Sequence, residues 1–184
     1  AALDKYCTDP DAAVRNALAQ GLADGKAPDA KLMEILSKDA NPSVRALTAS
    51  AFSATALGRG IVITLSKDKE FEVRRLACIT LGKYKDDDAV EALIARFMDE
   101  SIYVRDAAED SIVAIKPGDR HVKMIETDAL DDKVGRDSAV RVLGLLGRKE
   151  YSEKITSILS STESDETKVR SCARSEEHTS ELQS

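Results

Sequence analysis

DKEFEVRRLACITLG, residues 68–82, decides how this chain folds, because variants of it recur at a nearly constant interval. Upstream stand DPDAAVRNALAQGLADG (9–25) and DANPSVRALTASAFSATALG (39–58). Downstream are DESIYVRDAAEDSIVAI (99–115), DDKVGRDSAVRVLGLLG (131–147) and a clipped SDETKVRSCA (164–173). Their anchoring arginines are Arg15, Arg45, Arg74, Arg105, Arg136 and Arg170, at steps of 30, 29, 31, 31 and 34 residues. Self-similarity at such a period marks stacked repeats, each of which buries an apolar face against its neighbours.

With each anchoring arginine as position zero, apolar or small residues fall at −1, +2 or +3, +6 and +7. In the third copy these are Val73, Leu76, Ala77, Thr80 and Leu81. This spacing is one face of an α-helix. Asp9-Pro10 and Asn41-Pro42 predict helix starts, an Asx cap before a first-turn proline. Gly25, Gly58, Gly82, Gly118 and Gly147 are expected to end the same helices. Shorter amphipathic segments lie between them, at about 29–37, 61–66, 87–98, 119–127 and 152–160, with 1–6 as the tail of one more. GIVITL (60–65) is β-prone by composition, but the period predicts a helix there. Short connections make neighbouring helices antiparallel hairpins. The expected organisation is an all-α array of units at about 1–25, 26–60, 61–85, 86–118, 119–149 and 150–173, cut at both ends.

A two-helix unit of this length, with D-x-x-x-x-V-R-x-x-A-x-x-x-L-G opening its second helix, resembles the HEAT repeat. It is most similar to the short bacterial kind also found in phycobilisome-lyase-like proteins. Val73-Arg74, Ala77 and Leu81-Gly82 match the pattern in full, whereas Gly135 stands where Val is expected. The resemblance covers residues 1–173. It implies a right-handed α-α superhelix whose second helices line an inner surface that binds a protein partner. A second implication is a bilin-lyase-like role, in which the solenoid handles a tetrapyrrole or its acceptor.

Composition agrees with a helical scaffold. Of the 184 residues 42% are apolar and 33% charged, Trp is absent and aromatics make up 4%, so thin layers of Ala, Leu, Val and Ile are expected. No apolar run reaches the roughly 18 residues that a membrane-spanning helix needs. The three cysteines (Cys7, Cys78, Cys172) are odd in number and far apart, which fits reduced thiols and makes the cytoplasm the expected compartment. The start, AALDKY, lacks a Met and already reads as helix, so a cut terminus is expected. RSEEHTSELQS (174–184) falls outside the pattern and reads in frame as a common short-read sequencing adapter, a non-native tail. Removing its one Arg and three Glu moves the formal net charge from −6 to −4 and leaves His121 as the sole histidine.

The most regular polar feature is a ladder: Asp9, Asp39, Asp68 and Asp99 each precede Arg15, Arg45, Arg74 and Arg105 by six residues. Arg136 and Arg170 continue the arginine series. An arginine fork suits a carboxylate, and a carboxylate suits a helix N-terminus, so a structural role is expected. Positions +1, +4 and +5 of the second helices are predicted to be exposed. They include Arg75, an acidic cluster of Asp106, Glu109 and Asp110, and Arg141, which are the candidate protein-binding residues. A nucleic-acid groove would need a continuous basic stripe, and acid interrupts this one. No His-Glu pair, phosphate loop or nucleophile with a nearby base is present, so no metal, cofactor or catalytic residue is expected. His121 reads as a surface histidine and Asp86-Asp87-Asp88 as a helix start.

Overall fold

A computed structural model describes residues 3–24, 29–52, 56–130 and 134–160. Among these residues there are ten α-helices and no strand. They are α1 (Ala12–Asp24), α2 (Ala30–Leu36), α3 (Pro42–Ala51), α4 (Ala56–Leu65), α5 (Phe71–Leu81), α6 (Asp87–Ile94), α7 (Ile102–Ile115), α8 (Asp119–Met124), α9 (Arg136–Leu145) and α10 (Ser152–Ser160). The β-prone run 60–65 is helical, inside α4. A 3-10 turn, Ala95–Met98, extends α6, and a π turn, Ile125–Leu130, extends α8.

The helices form two layers. Each odd-numbered helix packs along the next (α1 on α3, α3 on α5, α5 on α7, α7 on α9), while contact between successive even-numbered helices is much thinner. Closer approach on one side makes the odd layer the inner side of the stack. Between the layers runs a continuous apolar core that includes Met33, Leu36, Val44, Val62, Leu81, Leu93, Phe97, Ile112, Ile125 and Leu143, all fully buried. Small residues at the layer contact (Ala19, Ala49, Ala77, Ala108, Ala139) are fully buried, which lets the helices lie close.

Several helix ends differ from the glycine pattern. Gly58 lies inside α4, because α3 already stops at Ala51. α7 is capped by Lys116 in the left-handed region (φ 56°), and Gly118 instead precedes α8. Gly82 follows α5 with an ordinary helical φ of −55°; its lack of a side chain matters because an added Cβ would lie 2.8 Å from Ser111 Oγ on α7. Gly147 (φ 66°) is the left-handed terminator the pattern predicts, and Gly25 lies outside the described residues. α3 starts as expected, with Asn41 Oδ1 accepting from the Ser43 N–H at 2.8 Å. α1 begins two residues later than Pro10, where Asp11 caps by accepting from the Ala13 N–H at 2.8 Å.

The aspartate–arginine series joins one repeat to the next. Arg15 donates through Nε and Nη2 to both oxygens of Asp39 (2.6 and 3.0 Å), and through Nη1 to the Asp9 carbonyl (2.6 Å). Arg45 repeats this on Asp68 (2.7 and 2.8 Å) and the Asp39 carbonyl (2.7 Å). Arg74 repeats it on Asp99 (2.8 and 2.9 Å) and the Asp68 carbonyl (2.8 Å). Each aspartate is thus held twice, its carboxylate by the preceding repeat and its carbonyl by its own. The same carboxylates accept from the backbone N–H two residues on, at Asn41, Glu70 and Ser101. Arg105 donates to the Asp99 carbonyl at 2.7 Å. Residues 131–133, where the next copy opens, and Arg170 lie outside the described residues. Arg136 is half-buried at the start of α9.

Gly135, the departure from the valine of the motif, is buried where the π turn presses in: an added Cβ would lie 3.0 Å from Met98 Cγ and 3.2 Å from Ala129 Cβ. Restoring the motif with Gly135→Val should therefore destabilise the fold by about 1–3 kcal/mol, seen as a lower Tm; an unchanged or higher Tm would show that the turn yields freely. Burial by itself raises the Asp39 and Asp68 carboxyls, but the Arg15 and Arg45 guanidiniums and the backbone donors outweigh it and hold both low. Their contribution is therefore complete above the unfolded value near 4 and disappears as pH falls through the lower folded values. Thermal unfolding from pH 6 to 2 should show the Asp39→Asn/Asp68→Asn variant less stable at pH 6 and less sensitive to acid. Parallel curves would disprove this account.

Candidate interaction surface

What the odd-numbered helices leave exposed follows from their two-sided packing. Buried positions on α3, α5, α7 and α9 include −1, +3, +4 and +7, together with +6 on all four (Ala51, Thr80, Ser111, Val142). At 100° per residue these cover an arc of about 160°, wider than the single stripe of a helix flanked on one side only. The solvent is thereby confined to positions −2, +1 and +5, and even there Ala46 at +1 and the Arg141 side chain at +5 are covered.

This geometry corrects the expectation for position +4. Ala19, Ala49, Cys78, Glu109 and Val140 all occupy it, and all are buried. Glu109, expected on the exposed ridge, is 0% exposed. Its Oε2 accepts from Arg141 Nη1 on α9 at 2.8 Å, and the Arg141 side chain is only 9% exposed. Arg141 Nη2 also reaches Asp110 Oδ1 at 3.1 Å. Glu109 and Arg141 thus form a buried ion pair between α7 and α9, with Glu109 at a position that is small or apolar in the other copies.

Arg75, Asp106 and Asp110 do come together. They line a groove of about 510 Å³ between α5 and α7, with Ile79 and Tyr103 as its apolar walls. Arg75 is held by Glu72 on its own helix, through Nε (2.9 Å) and Nη2 (2.7 Å). A second groove, of about 450 Å³, lies between α3 and α5, lined by Pro42, Ala46, Leu47, Phe71 and Leu76. The Phe71 and Tyr103 rings sit 6.0 Å apart and are 46% and 62% exposed. With Ile102 and Ile79 (40% and 42%) they make an apolar band on the inner layer. Phe71, Ile102 and Tyr103 stand at −3 and −2, before the arginine, and counting only forward from it misses them. Two aromatics out of seven in the chain, placed just outside the buried positions, were the available signal.

Other singled-out residues have ordinary surroundings. His121 is buried rather than on the surface, 6% exposed, its Nε2 3.6 Å from Asp87 Oδ1 on the preceding even helix. Asp86 caps α6 by accepting from the Ala89 N–H at 3.0 Å, and Arg59 bridges Asp86 and Asp88 (2.9 and 3.2 Å). Cys78 is fully buried, and that burial pushes its thiol up to about 12, far from a reactive thiolate. Among the described residues, no cluster of three or more His, Cys, Asp and Glu could hold a metal ion. No helix among them is long and apolar enough to cross a membrane.

Residues 30–113 match a family model described as HEAT repeats, which spans α2 to most of α7 and so contains both grooves. The match marks a helical-repeat protein of the interaction-scaffold type. No curated protein matches the chain.

Because Glu109 and Arg141 are buried together, Arg141→Ala should cost about 3–5 kcal/mol by breaking a buried ion pair from one side, whereas Glu109→Ala/Arg141→Ala should recover most of that loss. Chemical denaturation of the two variants checks it. Equal, small losses would return Arg141 to the list of binding residues.

Proposed function

Since residues 30–113 match the HEAT repeat model, we propose that this chain is a non-catalytic scaffold that binds a protein partner on its odd-helix face. The observation that carries the reading is the apolar band of Phe71, Ile79, Ile102 and Tyr103 beside two grooves. Large apolar side chains left in water on one face, with small and charged residues around them, are what protein interfaces use as anchors. In this reading Arg75, Asp106 and Asp110 set specificity at the rim, and Glu109 and Arg141 support the face from beneath.

A protein partner fits this face better than nucleic acid does. Acidic side chains outnumber basic ones around the grooves, and a phosphate backbone would be repelled there.

The full chain, immobilised and incubated with an extract of its source cells, should retain a protein that Tyr103→Ala and Phe71→Ala release. Arg120→Ala should keep it, since Arg120 lies on the opposite, even-helix layer, exposed and paired with Glu91 at 2.6 Å. A partner lost with Arg120→Ala and kept with both aromatic variants would overturn this assignment of the face.

A further inference from the structure

We propose that the partner segment is an extended, basic stretch of polypeptide with two apolar side chains about four residues apart, one seated in each groove; this rests on the scaffold reading above. The grooves flank α5 on its two sides. One is built on its first half, around Phe71 and Leu76, and the other on its second half, around Ile79 and Lys83. Neighbouring helices lie about 8–10 Å apart, and the step of seven or eight residues from Phe71 and Leu76 to Ile79 and Lys83 adds about 11 Å of offset. The two grooves are then about 14 Å apart, close to four residues of extended chain at about 3.3–3.6 Å each. Four is also an even number, so both side chains leave the same face of an extended segment.

Charge selects the rest of the segment. Glu70 and Glu72 line the α3–α5 groove, and no basic residue does. Asp106 and Asp110 line the α5–α7 groove with Arg75 and Lys83. Four acids face two bases; Arg75 and Glu72 pair with each other and Asp110 accepts from Arg141, which leaves the rim net acidic through Glu70 and Asp106 against Lys83. Lysines or arginines flanking the two apolar anchors meet this rim favourably, and acidic residues meet like charge.

The probe is a fluorescein-labelled peptide of sequence KLKSKLK, read by anisotropy against the full chain. ELESELE and KAKSKAK serve as comparators. We expect KLKSKLK to bind, with each comparator weaker by about tenfold or more, and with Phe71→Ala and Tyr103→Ala each weakening it about tenfold. Both side chains are largely exposed, so these variants keep the fold, which far-UV circular dichroism verifies. Equal binding of ELESELE or KAKSKAK, or no binding of KLKSKLK at millimolar concentration, overturns the inference. A parallel selection from a random displayed peptide library separates the two levels. Selected peptides that need Tyr103 but are not basic sink this inference and leave the scaffold reading standing, whereas a library from which nothing is selected counts against both. A concentration-dependent dimer in sedimentation that Tyr103→Ala abolishes also overturns it, in favour of a second copy on the same face.

Discussion

One aspartate per repeat carries two bonds that point in opposite directions along the stack. The Asp68 carboxylate takes the fork of Arg45 from the repeat before it, and the Asp68 carbonyl takes Nη1 of Arg74 from its own. The residue therefore senses the position of two helices at once. Buried ion pairs of this kind contribute little net energy when compared with apolar substitutes, but breaking one is expensive because it strands a charge. Their effect is on geometry: Arg15, Arg45 and Arg74 fix the distance and rotation of each odd helix relative to the next with the same three donors. The core supplies the attraction, and this relay sets the register.

A helix clamped from both sides has little surface left. The arc of about 160° that α5 and α7 bury confines variation to three positions in about two turns. Tyr103, Asp106 and Asp110 occupy those positions on α7, and Glu72, Arg75 and Ile79 occupy them on α5. The grooves form because the residues between neighbouring strips are small, such as Ala46, Ala107 and Gly82. Inward smallness brings the helices together and outward smallness leaves a trough between them.

The repeat period and the apolar spacing were enough to read the two-helix unit, and α4 shows why period outranks composition. Its β-branched residues 61–64 fold as helix because the neighbouring layers offer a helix-shaped site. What the sequence could not convey was the second neighbour. Position +4 lies outside a one-sided stripe and at the edge of the two-sided arc, so Glu109 looked exposed and is buried. Glycines misled for a related reason. A helix end requires a glycine only where φ turns positive, as at Gly147, whereas Gly82 and Gly135 are small because another helix touches them. The pairing of Asp39 with Arg15 rather than Arg45 through its side chain also depends on stacking that no single copy encodes.

The Glu109–Arg141 pair gives the array a polarity of assembly that its repeats, taken one by one, do not have. Arrays of this kind grow and shrink by duplication and loss of whole units, and identical interfaces tolerate such shuffling. An α7-type helix placed before α3 or α5 would set its buried carboxylate against Ser50 or Ile79 in place of the Arg141 guanidinium. An α9-type helix placed after α3 or α5 would present a guanidinium in the same plight. The α7–α9 junction is thus a lock with one key, and it binds these two units to remain adjacent and in this order through any rearrangement of the rest.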